Sequence, residues 1–362
     1  MGLSLFDDRL GEGLYARLAL AAAVAEVRIR KEVHITPQDL TGFIVSLGGV
    51  KFWIVAIFPM YVGWVLAQNP FGTAGRHLFV DQLGIVLGFL VIGPLLGTFT
   101  LLLNVHFDMA DTDRTNPRKQ YVSVIEDVMD RETILYAAWG FALIGLLLAF
   151  YISQNLIVYT EPGGPVTAIF GPYTFFGLMV LAVLLSVLYS HPAVRWKGVP
   201  GMDILVNIVG FGVIAPLAGW ALLRPIDGFP IWYLASIALF VGSVYVPTTA
   251  SDFESDRLYD IRTTAVALGV RGALVVGFAF LLGAIFLLVY GNTLELFPFD
   301  GRASNALATL WPFLVAQVVL YLAFLRRPTQ AKIWALLLLL SILQALATFL
   351  FLFQFTGGQT YA

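Results

Sequence analysis

Long apolar runs make up most of the chain, separated by short stretches that contain charge, Pro or Gly. A helix that spans a membrane needs roughly 20 mostly apolar residues. Nine stretches meet this requirement: about 43–68, 80–107, 132–155, 167–190, 203–224, 229–250, 271–290, 305–325 and 331–354. Lipid offers no water to an unpaired backbone N–H or C=O, so regular helices are expected there. The pattern predicts an all-α membrane protein, a bundle of nine transmembrane helices.

The composition agrees with this interpretation. The 362 residues are 59% hydrophobic and only 12% charged, with a mean hydropathy of +0.84, whereas a soluble domain carries about 25% charged residues. The net charge of -2 excludes a global basic surface for nucleic acid. The chain has no Cys, which excludes disulfides and thiolate metal sites.

Lys and Arg are concentrated in alternate loops, and such loops are typically cytoplasmic. The segment before the first span and the loops after the second, fourth, sixth and eighth spans hold most of them. We therefore predict an integral protein of the cell inner membrane, with a cytoplasmic N-terminus and a C-terminus on the far side. Residues 1–42 are predicted to form a cytoplasmic or interfacial segment, 43–354 the nine-helix domain and 355–362 a short tail.

Two short acidic stretches stand out against the apolar background. Each follows a long apolar helix on the predicted cytoplasmic side: "NVHFDMADTD", residues 104–113, and "SDFESDRLYD", residues 251–260. Asn104, Asp108 and Asp111 run i, i+4, i+7. Asp252, Asp256 and Asp260 run i, i+4, i+8. If the preceding helices continue this far, each set lies along one helix face.

Carboxylates on one face repel each other, so a cation is expected between them. Mg²⁺ prefers oxygen ligands and shares phosphate oxygens, so the two acidic stretches predict Mg²⁺ ions bridged by a diphosphate. Basic residues nearby are predicted to bind the remaining phosphate charge: Arg114, Arg118, Lys119, Arg257 and Arg262. Lys51, inside the first predicted span, either snorkels to the interface or reaches the site; we favour the second.

A charged loop beside a membrane helix is often only a solvated loop. Two acidic stretches with similar spacing on one predicted side, each followed by Arg, favour a binding site instead. An ion pathway would place acids in mid-membrane, and the predicted spans carry almost none.

These stretches resemble the motifs of the UbiA superfamily of intramembrane prenyltransferases, which have nine transmembrane helices and two aspartate-rich cytoplasmic loops. Asn104 and Asp108 match the family's first motif, N-D-x-x-D-x-x-x-D, while Val105 replaces its second residue. Asp111 and Asp113 lie on either side of the position of its last Asp, and they compete for one role as a metal ligand.

The other two motifs extend the resemblance over about residues 43–354. Asp252 and Asp256 match the second motif, D-x-x-x-D, which basic and Thr residues follow. The segment "YSHPAVRWK", residues 189–197, is similar to the family pattern Y-S-x-P-P-x-R-x-K, with Ala193 in place of the second Pro. The resemblance places Tyr189 and Lys197 near the site, with Asn207 as a weaker candidate.

The resemblance implies Mg²⁺-dependent transfer of a prenyl group from an isoprenyl diphosphate to a lipophilic acceptor. Mg²⁺ neutralises the departing diphosphate in such a reaction. The implied metal ligands are Asp108, Asp111, Asp113, Asp252 and Asp256. The implied catalytic set is Asn104, Asp108, Tyr189, Asp252 and Asp256. The implied diphosphate-binding set is Lys51, Arg114, Arg118, Lys119, Lys197, Arg257 and Arg262.

The acceptor is left open at this stage. The runs "DTDRTNPRK" and "PGMD" look like the branch that adds a C5 unit to lycopene. Quinone-precursor, chlorophyll-type and lipid-ether branches share the core motifs, and some members cyclise the diphosphate without an acceptor. A transporter or binding protein for a phosphorylated lipid is an alternative of a different class. The expected partners are the donor, the acceptor and membrane lipid, without nucleic acid; the sequence leaves protein partners open.

Overall fold

The computed structural model describes residues 50–68, 78–108, 130–159, 163–293 and 302–357, and these ranges contain helices and no strand. The helices in chain order are α1 (Val50–Gln68), α2 (Leu78–Leu90), α3 (Leu96–Asp108), α4 (Arg131–Asn155), α5 (Pro165–Phe170), α6 (Thr174–Ser190), α7 (Met202–Asn207), α8 (Ala215–Ala221), α9 (Ile231–Ser251), α10 (Phe253–Leu258), α11 (Thr264–Thr293), α12 (Arg302–Leu325) and α13 (Gln330–Gly357). The predicted N-terminal segment 1–42 lies outside these ranges, and so do residues 358–362 of the predicted tail 355–362, whose first three residues belong to α13.

The helices confirm the predicted all-α membrane fold. Seven stretches within the described ranges are long and apolar enough to cross a membrane: Gln82–Asp108, Arg131–Asn155, Pro165–Ser190, Met202–Ala221, Ile231–Ser251, Thr264–Gly291 and Ala331–Phe351. The other two predicted spans coincide with the shorter apolar helices Trp53–Gln68 and Thr309–Leu325. The count of nine transmembrane helices stays a prediction.

Two of the predicted spans are each built from two α-helical parts joined by a π-helical turn. Residues Val91–Leu95 join α2 to α3, and residues Ile208–Ile214 join α7 to α8. Pro94 lies inside the first of these turns and has no N–H to donate to the helical ladder. Such wide turns are frequent at functional sites. Helix α3, which follows the first turn, and helix α7, which precedes the second, carry residues of the site described below.

Close helix contacts in the bundle depend on small residues, as is usual where lipid replaces water. A Cβ on Gly63 of α1 would lie 1.9 Å from the Pro216 carbonyl oxygen, and one on Gly219 of α8 would lie 1.9 Å from the Met60 carbonyl oxygen. Both glycines therefore allow the backbones of α1 and α8 to touch. Large side chains such as Leu143 and Leu147 of α4 point outward, where lipid is expected.

One backbone carbonyl of α9 accepts its hydrogen bond from a distant helix. Pro247 lies inside α9 and has no N–H for the Ser243 carbonyl one turn earlier. The Tyr321 hydroxyl of α12 donates to that carbonyl instead. A Cβ on Gly277 of α11 would lie 2.3 Å from the same hydroxyl, so the glycine leaves room for it. This contact ties α12 to the part of α9 that leads to Asp252.

Candidate active site

One cavity brings the three sequence motifs together. It lies where the C-terminal ends of α3, α6 and α9 meet the 191–201 and 259–263 loops. Its lining consists of Asn104, Asp108, Tyr189, Lys197, Asp203, Tyr245, Thr249, Asp252, Asp256, Ile261 and Thr263. Helix C-termini carry partial negative charge, and four carboxylates add to it. The lining therefore carries more negative than positive charge and attracts cations.

The first and third motifs meet inside this cavity. Asp108 is the last residue of α3 and is buried, and the Lys197 ammonium donates a hydrogen bond to its Oδ1 atom. The Arg195 Nη2 atom lies 3.8 Å from the same oxygen. Burial lowers the pKa of Lys197 to about 8, against the opposing effect of the Asp256 charge. The pairing offsets the cost of burying both charges.

The local backbone explains how Lys197 reaches Asp108. Helix α6 ends at Ser190, and a short 3₁₀ turn at Trp196–Gly198 follows it. Arg195 precedes this turn in the left-handed conformation, with φ 44° and ψ 53°, which is uncommon for a residue other than glycine. The reversal at Arg195 lets the chain fold back over the end of α3.

The second motif does not continue α9 as one helix. Helix α9 ends at Ser251, Asp252 has φ -92° and ψ 0°, and α10 is a separate short helix. The Asp256 amide donates to the Asp252 carbonyl at 2.9 Å, and both side chains line the cavity. Asp260 is exposed and left-handed, with φ 54°. The expectation that it would share one helix face with them is wrong, because the chain turns before it.

Five lining residues were not predicted as site residues: the polar Asp203, Tyr245, Thr249 and Thr263, and the apolar Ile261. The Asp203 carboxylate accepts hydrogen bonds from the Thr249 hydroxyl at 3.2 Å and the Thr264 amide at 2.9 Å. An acid at the start of an apolar span, where charge is expensive, was the available signal for it. Tyr245 and Thr249 precede Asp252 at i, i+4, i+7 spacing on α9, which is a weaker signal.

Two tyrosine hydroxyls meet on the apolar side of this cluster. The Tyr189 and Tyr245 oxygens lie 2.9 Å apart, so one donates to the other. Both residues line the cavity. The pair joins the end of α6 to α9.

The remaining predicted residues are distributed as follows. Asn104 lines the cavity one turn before Asp108. The side chains of Arg257 and Arg262 are exposed and do not belong to the lining, so their contact with a diphosphate stays a prediction. Asn207 donates to the Asp203 carbonyl within α7 at 2.9 Å. Asp111, Asp113, Arg114, Arg118, Lys119 and the Lys51 side chain lie outside the described residues.

The described donor set fits a shared Mg²⁺ site better than an all-protein cage. No group of three or more His, Cys, Asp or Glu side chains among the described residues is close enough to hold an ion alone. The carboxylates of Asp108, Asp252 and Asp256 nevertheless face one cavity. Mg²⁺ characteristically uses one or two carboxylates and completes its shell with water and substrate phosphate.

Known proteins resemble this chain in sequence and fold. A lycopene elongase/hydratase from Haloferax volcanii is 26% identical over 243 residues, which cover 64% of this chain and 67% of the relative. A UbiA homologue from Archaeoglobus fulgidus, solved with DMAPP and Mg²⁺, matches with a TM-score of 0.59 and 20% identity, over 87% of this chain and 99% of that chain. The same homologue with GPP and Mg²⁺ gives a TM-score of 0.56, with the same identity and coverage.

The family comparison covers most of the membrane domain. The model of the UbiA prenyltransferase family matches residues 56–343, a range that contains all three motifs and the whole cavity lining. The fold likeness to solved homologues agrees with this match. The chain belongs to the UbiA prenyltransferase family, a family of membrane prenyltransferases.

Proposed function

We propose that this protein transfers a C5 prenyl group from an isoprenyl diphosphate to a carotenoid acceptor in the membrane, with Mg²⁺ as cofactor. One observation carries the proposal: Asp108, Lys197, Asp252 and Asp256, from three separated motifs, line a single cavity at one end of the bundle. Three carboxylates and one ammonium group in one cavity match a ligand made of Mg²⁺ and a diphosphate, since the carboxylates attract the metal and the ammonium attracts the diphosphate. The solved homologue with DMAPP and Mg²⁺ supports this choice of ligand.

The chemistry starts with cleavage of the bond between the prenyl carbon and the diphosphate oxygen. The diphosphate leaves with the electron pair, and an allylic cation is left behind. Mg²⁺, when held by Asp108, Asp252 and Asp256, would neutralise charge on the leaving group. Lys197 supplies a positive charge from the protein in a site that water enters poorly, where such a charge is most effective.

The protein also has to protect the cation until the acceptor reacts. The rings of Tyr189 and Tyr245 line the cavity, and an aromatic face attracts a cation. The acceptor's double bond attacks the cation, and loss of a proton completes the transfer. Asn104, one turn deeper along α3 than Asp108, is placed to orient the acceptor or a phosphate oxygen.

The acceptor assignment rests on the relatives. The lycopene elongase/hydratase relative supports a carotenoid acceptor, as do the "DTDRTNPRK" and "PGMD" runs of the sequence. We further propose that the site faces the cytoplasm from the inner membrane. Arg131 follows α3 at this end of the bundle, where its Nε atom donates to the His106 carbonyl at 2.9 Å. Arg195, Arg257 and Arg262 lie at the same end, as the positive-inside rule requires.

Reconstitution in lipid nanodiscs tests the assignment. The protein is supplied with Mg²⁺, lycopene and C5 to C20 prenyl diphosphates, and products are identified by mass spectrometry. The proposal predicts lycopene derivatives that have gained C5 units. A cyclised terpene formed without lycopene would identify a cyclase. Transport of a phosphorylated lipid with no turnover of any donor would contradict the enzyme assignment.

A further inference from the structure

Asp203 is a buried residue of the cavity lining, and its carboxylate accepts four hydrogen bonds. It lies in the first turn of α7 and is 1% exposed. Its Oδ1 atom accepts from the Gly201 amide at 3.0 Å and from the Thr264 hydroxyl. Its Oδ2 atom accepts from the Thr264 amide at 2.9 Å and the Thr249 hydroxyl at 3.2 Å. Four donors from three segments thus converge on one side chain.

The chemistry of this carboxylate differs from that of its neighbours. An acid that shares a cavity with Asp108, Asp252 and Asp256 would ordinarily be taken for another metal ligand. An ionised carboxylate offers about four lone-pair sites, and four donors point at them. The Gly201 amide is shared with the Thr264 hydroxyl at 2.7 Å, which keeps Gly201, Asp203 and Thr264 in one network. Little of the carboxylate is left to bind a cation. The hydrogen bonds also offset the cost of keeping the charge buried.

The donors show what the carboxylate holds in place. Thr249 lies three residues before Asp252, and Thr264 lies eight residues after Asp256. The Asp203 side chain is therefore hydrogen-bonded to residues on both sides of the second motif. The same segment reaches the first motif through Lys197, which lies six residues before Asp203 and binds Asp108. Residues 197–203 thus form a bridge between the two aspartate motifs.

We propose that Asp203 is a positioning residue, which holds Asp252 and Asp256 at a fixed spacing from Asp108 and does not itself bind metal. This inference rests on the proposed function, in which those three carboxylates hold a metal–diphosphate ligand. Partners that orient metal ligands typically change metal affinity or activity by about 10–100-fold when they are mutated.

Hydrogen exchange of the ligand-free protein tests the positioning role without any ligand or turnover. Asp203→Asn replaces an acceptor oxygen with an NH₂ group that cannot accept from Thr264 or Thr249. We expect amides of 252–263 to exchange about tenfold faster or more, with α4 unchanged. Thr264→Val, which removes one donor, should give a smaller change in the same segment. Ser236→Ala removes another buried α9 hydroxyl, which donates to the Ala284 carbonyl, and serves as the control. Unchanged exchange of 252–263 in both variants would overturn the proposal.

Metal binding separates a positioning residue from a ligand. Mn²⁺ binding to the nanodisc protein is followed by electron paramagnetic resonance with inorganic pyrophosphate present. Asp203→Asn should bind as many Mn²⁺ ions as the wild type, about 10–100-fold more weakly, whereas Asp252→Ala should bind fewer. If Asp203→Asn also lowers the number of ions, Asp203 is a ligand and the proposal is wrong. A wild-type protein that binds no Mn²⁺ with pyrophosphate would contradict the proposed function, and hydrogen exchange would still decide the role of Asp203.

Discussion

Lys197 and Asp108 form a buried ion pair across two motifs that are far apart in sequence. The pair joins the end of α3 to the loop after α6, and it engages the Oδ1 atom of the carboxylate that the proposed function assigns to metal. A metal ion that binds this oxygen would compete with Lys197 in the free protein. A diphosphate gives the ammonium another partner, so metal and diphosphate should each favour binding of the other.

The first prediction uses this competition. Lys197→Met keeps a similar volume and removes the charge, which leaves Asp108 free of its competitor. Mn²⁺ alone should then bind more tightly than to the wild type. Pyrophosphate should bind more weakly, because a charged hydrogen bond contributes about 1.5–3 kcal/mol. Both affinities are measurable by isothermal titration calorimetry. Weaker Mn²⁺ binding in the variant would show that Lys197 does not compete with metal.

The second prediction concerns the Ser243 carbonyl of α9. Tyr321→Phe removes the hydroxyl that donates to the Ser243 carbonyl and leaves a buried acceptor unpaired. We expect a loss of stability of about 1–3 kcal/mol, measured by denaturant unfolding in detergent. Tyr136→Phe on the exposed face of α4, where the side chain is 73% exposed, is the matched control and should change little.

Restoring a backbone N–H at residue 247 should recover the stability that Tyr321→Phe loses. In the double variant Pro247→Ala, Tyr321→Phe, residue 247 again has an N–H for the Ser243 carbonyl. Stability should return toward the wild-type value. A double variant no more stable than Tyr321→Phe alone would show that the carbonyl is not the important partner.

A fourth prediction concerns pH at the opposite end of the bundle. The Asp227 carboxylate accepts from the Thr167 hydroxyl at 2.6 Å and from the amides of Val166 and Thr167, each at 3.0 Å. The Thr167 hydroxyl is the largest of the contributions that lower the pKa of Asp227. A carboxylate whose pKa is lower in the folded state stabilises the fold above its unfolded pKa of about 3.9. That stabilisation is lost as the pH falls through the lower, folded value.

Thermal unfolding of Asp227→Asn against pH measures this contribution. The wild type should unfold at a higher temperature than the variant above about pH 5, and the difference should shrink below about pH 4. The side chain is exposed, so the effect is expected to be small and to weaken with salt. A difference that is constant with pH would rule out the carboxylate charge as its cause.

The sequence predicted the elements of the site better than their connections. Apolar length alone located the helices, and i, i+4 spacing pointed to Asp108, Asp252 and Asp256, which line one cavity. The spacing rule failed at Asp260, because this residue is itself left-handed and lies just after the end of the short helix α10. Periodicity does not reveal such a turn. The division of two spans by π-helical turns was equally invisible, since the hydropathy of the residues does not change there.

Long-range partners explain the rest of what the sequence could not provide. Asp203 acquires its role from Thr249 and Thr264, which only the packing of α7, α9 and α11 brings to it. Nothing in the sequence near Tyr321 distinguishes it from other tyrosines of apolar helices. Its role depends on the Ser243 carbonyl, which Pro247 leaves without a helical donor. In both cases the informative feature is a contact between distant segments, and a local pattern of residues does not contain it.

Release of diphosphate from a labelled isoprenyl diphosphate is the most direct measurement of the central claim. The wild-type protein, in nanodiscs with Mg²⁺ and membrane lipid extract, should release one diphosphate for each prenylated lipid formed. Asp252→Ala should reduce the rate by about a hundredfold or more, with an unchanged helical circular dichroism spectrum. No release by the wild type with any donor from C5 to C20, or equal release by a folded Asp252→Ala variant, would contradict the account.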